Sequence, residues 1–508
     1  MTKISHQVQE ALQRLGPSLS TKVASYLMNT YALTSTTARQ RISRSGPDVL
    51  KLKGIRFPHR AEFIYLRSQY GSQIFFNRLI STLEETNIAY YYGLSALNSR
   101  GGILPINHFK IACAAPKMQS KQITVDLMIE NLLATRLIKS ITIPGIGECL
   151  ALNNFSEQDM YENHLDLKAR VIAERIALQA IKEWVRRLGL GSYDMVLIRD
   201  ESEDIPSAGP NYWDLSAPSY IYPLLGNKNS KGAKKPGSIV CDIYLGRMTI
   251  DGIKGFIKKC HNVRGFPNVS PMLQIFVADT YPSEVITEIK RIGAIAATMD
   301  TIFGKDVAQA IRELSAILKT TAKKIDDFEK LNHIFSSLTR IEGAANTLRG
   351  CLFEYISAAI ARYYYSTDNI QVSKIVKDSI GNEAEIDVFV IARGGKLTVI
   401  ECKGHKPMGY VDDKEVEKWI QKRIPTVRGY IKNHPDYYKF EQNYEIWTNG
   451  RLTEKSKLFI STEQQKTDKY NISFREGDEI EKIARDSMDV GLHKSYIQHF
   501  TKNPLAIF

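Results

Sequence analysis

Residues 381 to 404, Gly-Asn-Glu-Ala-Glu-Ile-Asp-Val-Phe-Val-Ile-Ala-Arg-Gly-Gly-Lys-Leu-Thr-Val-Ile-Glu-Cys-Lys-Gly, put charge where a folding chain can least accommodate it. The segment reads as two apolar strands joined by a tight Arg-Gly-Gly turn. Asp387 interrupts Ile386 and Val388, while Glu401 and Lys403 punctuate the run Leu397, Val399, Ile400, Cys402. An ionised carboxylate in an apolar sheet costs on the order of several kcal/mol unless it is paired or bound to a metal. Period two sets Leu397, Val399, Glu401 and Lys403 on one face of their strand, and a suitable register brings Asp387 to the same side. A salt-bridged surface hairpin is the competing account of these three charges.

A helix precedes the hairpin, since Ile341, Ala345, Leu348, Leu352, Tyr355, Ala359 and Tyr363 recur every three or four positions. Glu354 lies off that stripe, between Gly350 and Ala358 one turn away, so another element can approach its carboxylate closely. Two carboxylates beside an ammonium form a device for phosphodiester cleavage. Asp387 and Glu401 are the expected ligands of Mg²⁺, a hard cation that prefers oxygen and keeps several waters. Lys403 is expected to orient or help deprotonate the attacking water and to stabilise the growing negative charge. Glu354 is placed to steady a metal-bound water or to join a second cation site.

Gly350-x-x-Phe353-Glu354 on a helix, followed by Asp387 and Glu401-Cys402-Lys403 on a hairpin, resembles the PD-(D/E)xK nuclease superfamily. The branches it is most similar to are those related to archaeal Holliday-junction resolvases and Mrr-type restriction enzymes. The resemblance spans residues 340 to 455, and the proline of the family name is replaced by Ile386. It implies a restriction-endonuclease-like core, a mixed sheet flanked by helices, and Mg²⁺- or Mn²⁺-dependent hydrolysis of DNA. Many enzymes of this fold cut both strands as dimers, so the resemblance makes a homodimer an expectation. It also suggests that the helical stretch 412 to 433 flanks the site, where Gln421 and Lys422 either assist or belong to a solvated face.

The rest of the chain is read around that site. The net charge of +13 over 508 residues biases the protein toward polyanions, nucleic acid first. Six cysteines are scattered with no Cys-x-x-Cys pair, which predicts free thiols, no zinc site and a reducing cytoplasm. No apolar signal core or run approaching a membrane span is apparent, so no membrane partner is expected. No Gly-x-x-x-x-Gly-Lys-Ser/Thr loop occurs, so no P-loop ATPase is expected.

Leu12, Leu15, Leu19, Val23, Tyr26, Leu27 and Ile42 predict three short helices, with Ser20 and the Thr-Ser-Thr-Thr run at 34 to 37 as N-caps. The third, at 35 to 45, carries Arg39, Arg41 and Arg44, and a ribbon with Lys51 and Lys53 follows. This is the order of a winged helix-turn-helix whose third helix enters a major groove. A small helical domain with a solvated basic face gives the same pattern. A second unit is expected from a helix at Phe75 to Leu83, a core strand at the Tyr90-Tyr-Tyr run, a helix at 122 to 136 and a ribbon at 137 to 152. Its Tyr-Gly-Leu-Ser-Ala-Leu segment resembles the winged-helix antitoxins of type IV toxin–antitoxin systems.

A long helix at 165 to 189 contains Glu174. Strands are expected at 193 to 200, at 238 to 245 with Asp242, and at 273 to 279, with a lysine-rich loop at 227 to 236. Laying Phe276 to Asp279 over Ile400 to Lys403 puts Val277 at the place of Glu401 and Asp279 at that of Lys403. This reading makes the region a degenerate nuclease copy; an unrelated α/β domain is the alternative.

The expected fold class is therefore multidomain α/β and α+β. It comprises a winged helix-turn-helix at 1–70, a second winged-helix-like unit at 71–155, an α/β, degenerate nuclease-like domain at 156–330 and a nuclease domain at 335–508. The expected function is a cytoplasmic, metal-dependent DNA endonuclease of prokaryotic restriction or anti-phage defence, acting with partner defence subunits or as a homodimer. Two alternatives stand: a structure-selective repair or recombination nuclease, and a non-catalytic DNA-binding regulator or assembly subunit built on nuclease-like scaffolds.

Overall fold

The computed structural model describes residues 3–118, 122–202, 204–227, 234–266, 269–319, 328–339, 341, 344–405 and 407–501. Among them no helix is long and apolar enough to cross a membrane. The fold mixes α and β, in two compact units. The first comprises Met1–Thr142, Glu148–Met160 and Leu188–Thr298; the second comprises Ile143–Gly147, Tyr161–Arg187 and Met299–Phe508. These divisions cross the four-part sequence reading, because most of the long helix expected to open the central region belongs to the same unit as the C-terminal residues.

The first unit begins with α1 (Lys3–Leu15), β1 (Ser18–Leu19), α2 (Ser20–Tyr31), α3 (Ser35–Ser43), β2 (Val49–Lys51) and β3 (Phe63–Leu66). Val8, Leu12, Val23, Leu27, Ile42 and Ile64 close their small core. Thr34 caps α3 as its sequence predicts, accepting the Thr37 N–H at 3.3 Å. Ser20 does not cap α2; its hydroxyl accepts the Glu62 N–H instead. The predicted apolar helix follows as α4 (Gln73–Glu85), burying Phe75, Phe76, Leu79, Ile80 and Leu83. Next come α5 (Tyr90–Ser99), β4 (Ile103–Pro105), α6 (Ile106–Ala112), α7 (Val125–Ala134), β5 (Ile138–Ile143) and β6 (Gly147–Leu152). From α5 onward this repeats the order of α1 to β3, and both sheets place their third strand centrally, as β1-β3-β2 and β4-β6-β5.

One expectation is overturned here, because the Tyr90-Tyr-Tyr run is helical and not a strand. The aromatic strand preference loses to packing, since Tyr91, Leu94 and Leu97 recur at helical spacing and are buried. Gly93 admits the neighbouring side chains, for a Cβ there would meet Phe109 at 3.0 Å and Met128 at 3.1 Å.

Helix α8 (Glu157–Arg187) is followed by β7 (Leu197–Ile198), a small ribbon of β8 (Ser207–Ala208) and β9 (Asn211–Tyr212), and β10 (Leu215–Ser219). Then come β11 (Gly237–Arg247), α9 (Ile250–Arg264), β12 (Met272–Thr280), α10 (Ser283–Arg291) and β13 (Ile295–Thr298). The strand expected at 193 to 200 shrinks to β7, since Tyr193–Met195 forms a turn of 3-10 helix. Most of the lysine-rich loop, 228–233, lies outside the described residues.

The second unit continues with α11 (Met299–Phe303), α12 (Lys305–Leu318), α13 (Phe328–Leu338), α14 (Ala344–Tyr364), β14 (Ile370–Lys377), β15 (Glu383–Ala392) and β16 (Lys396–Lys403). A π-helical turn at Trp419–Arg423 joins α15 (Asp413–Lys418) to α16 (Ile424–Asn433). Then come β17 (Glu441–Thr448), α17 (Glu454–Gln465), β18 (Asn471–Arg475), α18 (Gly477–Asp486), α19 (Val490–Tyr496) and a second π-helical turn at Ile497–Thr501, so the region after 452 supplies the fifth strand of a sheet.

The two five-stranded sheets share one topology. Each runs in chain order, β7-β10-β11-β12-β13 and β14-β15-β16-β17-β18. In each, the first three strands are antiparallel neighbours and the last three are parallel. By position β11, not β12, corresponds to β16. The sequence overlay of Phe276 to Asp279 on Ile400 to Lys403 was therefore one strand out, and Asp242, not Val277, lies at the place of Glu401.

Within the second unit, β16 ends against the backbone of α14. A Cβ at Gly404 would lie 2.4 Å from the Arg349 carbonyl oxygen and 2.8 Å from the Phe353 Cβ. Gly404→Ala is therefore expected to force α14 away from β16 and to destabilise this unit by about 1–3 kcal/mol, measured by denaturant unfolding.

Candidate active site

The predicted hairpin forms, with Val388 opposite Ile400 and Phe389 opposite Val399. One step beyond these pairs the same register sets Asp387 facing Glu401. Both carboxylates are buried, at 7% and 4% exposure. The Asp387 Oδ2 accepts the Cys402 N–H at 2.7 Å, so the side chain bridges the strands where the ladder stops. Lys403 lies 3.2 Å from Glu401 and 3.1 Å from Glu415, and Arg423, at the end of the π-helical turn, also pairs with Glu401. Such single π turns recur at functional sites. Gln421 and Lys422, the residues of this helix singled out in the sequence, are exposed; Arg423 is the one that reaches the carboxylates.

Glu354, on α14, joins the cluster through a residue the sequence reading missed. The Lys168 ammonium on α8 lies 3.2 Å from Glu354 and 2.6 Å from Glu385, and donates to the Ser373 hydroxyl at 3.2 Å. Ser373 in turn donates to Glu354 at 3.0 Å. Glu385 precedes Asp387 by two positions on β15, so the alternation that marked Glu401 and Lys403 also marked it. Lys168 carried no such signal, standing in a long helix far from the hairpin.

The electrostatics follow from burial and from this crowding. Burial, with Glu401, Glu354 and Glu385 nearby, pushes the Asp387 carboxyl well above the usual carboxylate range, against the pull of Lys168. Glu354 is raised by burial and by Glu385, and Lys168 opposes both. Burial acts to lower Lys403 and Lys168, but their carboxylate neighbours outweigh it and hold both ammonium groups above their ordinary range.

Four buried or nearly buried carboxylates, Glu354, Glu385, Asp387 and Glu401, thus face three cations, Lys168, Lys403 and Arg423. Asp387 is the one with no ion pair among the described residues. The donor chemistry fits a hard divalent cation at Asp387 and Glu401, which Mg²⁺ binds through one or two carboxylates and its own waters. Among the described residues, no group of three or more His, Cys, Asp or Glu side chains is placed to hold a metal ion.

The predicted DNA contacts lie in the first unit. Arg39 is exposed on α3 and Arg44 just past its C-terminal end, while Arg41 is half-buried and donates to Gln7. Lys51 pairs with Glu62 at 2.6 Å, and Lys53 is exposed. Arg56 and Arg60, unremarked in the sequence, are also exposed between β2 and β3, alternating with buried Leu52, Ile55 and Phe57. The corresponding third helix of the repeat, α7, presents Asp126 and Glu130 instead.

No protein-family model, curated protein or solved structure matches the chain.

The ion-pair geometry of Lys168 makes a stability prediction. Lys168→Met leaves Glu354 and Glu385 facing each other without a cation and is expected to destabilise the second unit by about 3–5 kcal/mol. Adding Glu385→Gln should recover much of that loss in the same denaturation experiment.

Proposed function

We propose that this chain is a metal-dependent DNA endonuclease whose centre is Asp387, Glu401 and Lys403, with Glu354 in support. The observation that carries the reading is the register of β15 and β16, which sets the two carboxylates face to face with an ammonium two residues along. Asp387 and Glu401 would hold a Mg²⁺ or Mn²⁺ ion. When bound, such an ion supplies a water of lowered pKa and positive charge for the scissile phosphate. Lys403, kept protonated by Glu401 and Glu415, serves better as a fixed positive charge for the developing phosphorane oxygens than as a base. Arg423 holds the Glu401 carboxylate in place from the end of the π-helical turn.

DNA capture is assigned to the helix and ribbon around Arg39, Arg44, Lys53, Arg56 and Arg60. The order of elements from α1 to β3 supports a winged helix-turn-helix there, with α3 as the groove-entering helix. A role in restriction or anti-phage defence is part of this proposal and rests on the sequence resemblance alone.

One observation favours a second reading, a DNA-binding scaffold without catalysis. Lys168 and Arg423 already neutralise carboxylates that a metal would otherwise meet.

A cleavage assay in Mg²⁺ or Mn²⁺ separates the two. Asp387→Ala and Lys403→Ala are each expected to lower cleavage at least about 100-fold while duplex binding persists. Binding without cutting by the unaltered protein would establish the scaffold reading, and cleavage untouched by either substitution would remove these residues from the centre. Arg39→Ala with Arg44→Ala should weaken binding to all duplex sequences and reduce the slope of log K against log salt by about 2.

A further inference from the structure

The first unit holds a second carboxylate pair in the same frame as the first. In the central sheet Leu215 faces Cys241, so Asp214 and Asp242 stand one step beyond, as Asp387 and Glu401 do. The Asp214 Oδ2 accepts the Ile243 N–H at 2.7 Å, the counterpart of the Asp387 bond to Cys402 in both position and length. The helix after the hairpin sends a cation to the second carboxylate in each case, Lys259 to Asp242 at 2.6 Å and Arg423 to Glu401. Five strands in one order, with one pattern of directions, carry these details.

Two of the differences bear on the charge balance of the pair. Tyr244 stands two residues after Asp242, where the other unit has Lys403. On the first strand, the residue facing the leading aspartate is Arg199 in the central sheet and Ser373 in the other. The Arg199 guanidinium pairs with Asp214 at 2.5 Å, an ion pair that Asp387 lacks among the described residues. The central cluster is also sealed. Lys259 is 1% exposed, and its ammonium donates to the Tyr212 carbonyl and lies over the Trp213 ring.

We propose that the central sheet is an internal copy of the nuclease core whose metal-ready pair, Asp214 and Asp242, has been closed by Arg199 and Lys259. The chain then carries one metal centre, at Asp387 and Glu401, and a double-strand cut takes two chains or two successive encounters. The count of centres rests on the nuclease reading above; the closure of the central pair does not.

The test uses the full chain and Mn²⁺ as the probe. In a calorimetric titration, Asp387→Asn should lose all bound Mn²⁺, and Asp242→Asn combined with Lys259→Met, which leaves no unpaired buried charge there, should lose none and cut DNA as before. Loss of Mn²⁺ by that double variant, with its fold intact by circular dichroism, would overturn the proposal. If the unaltered protein binds no Mn²⁺, the nuclease reading falls, and a stability cycle decides the closure separately. Lys259→Met should lower the unfolding midpoint by roughly 6–15 °C, and Asp242→Asn added to it should restore at least half of the loss. A double variant no more stable than Lys259→Met alone would overturn the closure.

Discussion

The cost of burying a carboxylate organises both sheets of this protein. An aspartate at the end of a ladder, accepting a backbone N–H from the next strand, gains one charge-assisted hydrogen bond. That bond alone does not offset its desolvation. Each sheet must therefore bring cations to the same spot, and the helices around the sheet are placed accordingly. In the second unit Lys168 comes from α8, Lys403 from the hairpin and Arg423 from the π-helical turn. In the first, Arg199 and Lys259 perform the task with no cation left exposed. Two arrangements of the same groups differ by where the charge balance is struck. One is complete within the sheet's own surroundings, and the other leaves Asp387 with no ion pair among the described residues.

The hairpin and Glu354 were legible in sequence because their physics is local. Period two and an Arg-Gly-Gly turn fix the hairpin, and a helical stripe exposes the one glutamate that departs from it. Lys168 was not legible, since it stands 186 positions before Glu354 and only the folded chain joins them. Glu385 was legible in principle, standing two residues before Asp387 on an already suspect strand. The Tyr90 run misled because strand preference is a statement about half-buried pleated surfaces, whereas α5 is buried on nearly every side. The order of elements in the central region points to a nuclease-like copy, but the sequence does not tell which of its strands corresponds to β16. An apolar strand such as β12 resembles its neighbours in composition, and only sheet position tells which is which.

The repeated order of α1 to β3 and α5 to β6 carries opposite charge on one pair of corresponding helices. Helix α3 and its C-terminal end face solvent with Arg39 and Arg44, and α7 with Asp126 and Glu130. Opposite charge on corresponding helices argues against one shared ligand for both, since a polyanion is attracted by the first and repelled by the second.

The path of the chain through its two units bears on when the second unit can form. Residues Tyr161–Arg187 belong to it, the chain then builds most of the central sheet in the first unit, and only from Met299 does it return. At ordinary rates of synthesis, about 5–20 residues per second, Lys168 leaves the ribosome roughly 10–40 s before Glu354. During that interval α8 has a buried ammonium's worth of charge to keep in water and no carboxylates to meet. The carboxylate cluster is thus among the last parts of the protein to assemble, and its charges find their partners only when most of the chain has been made.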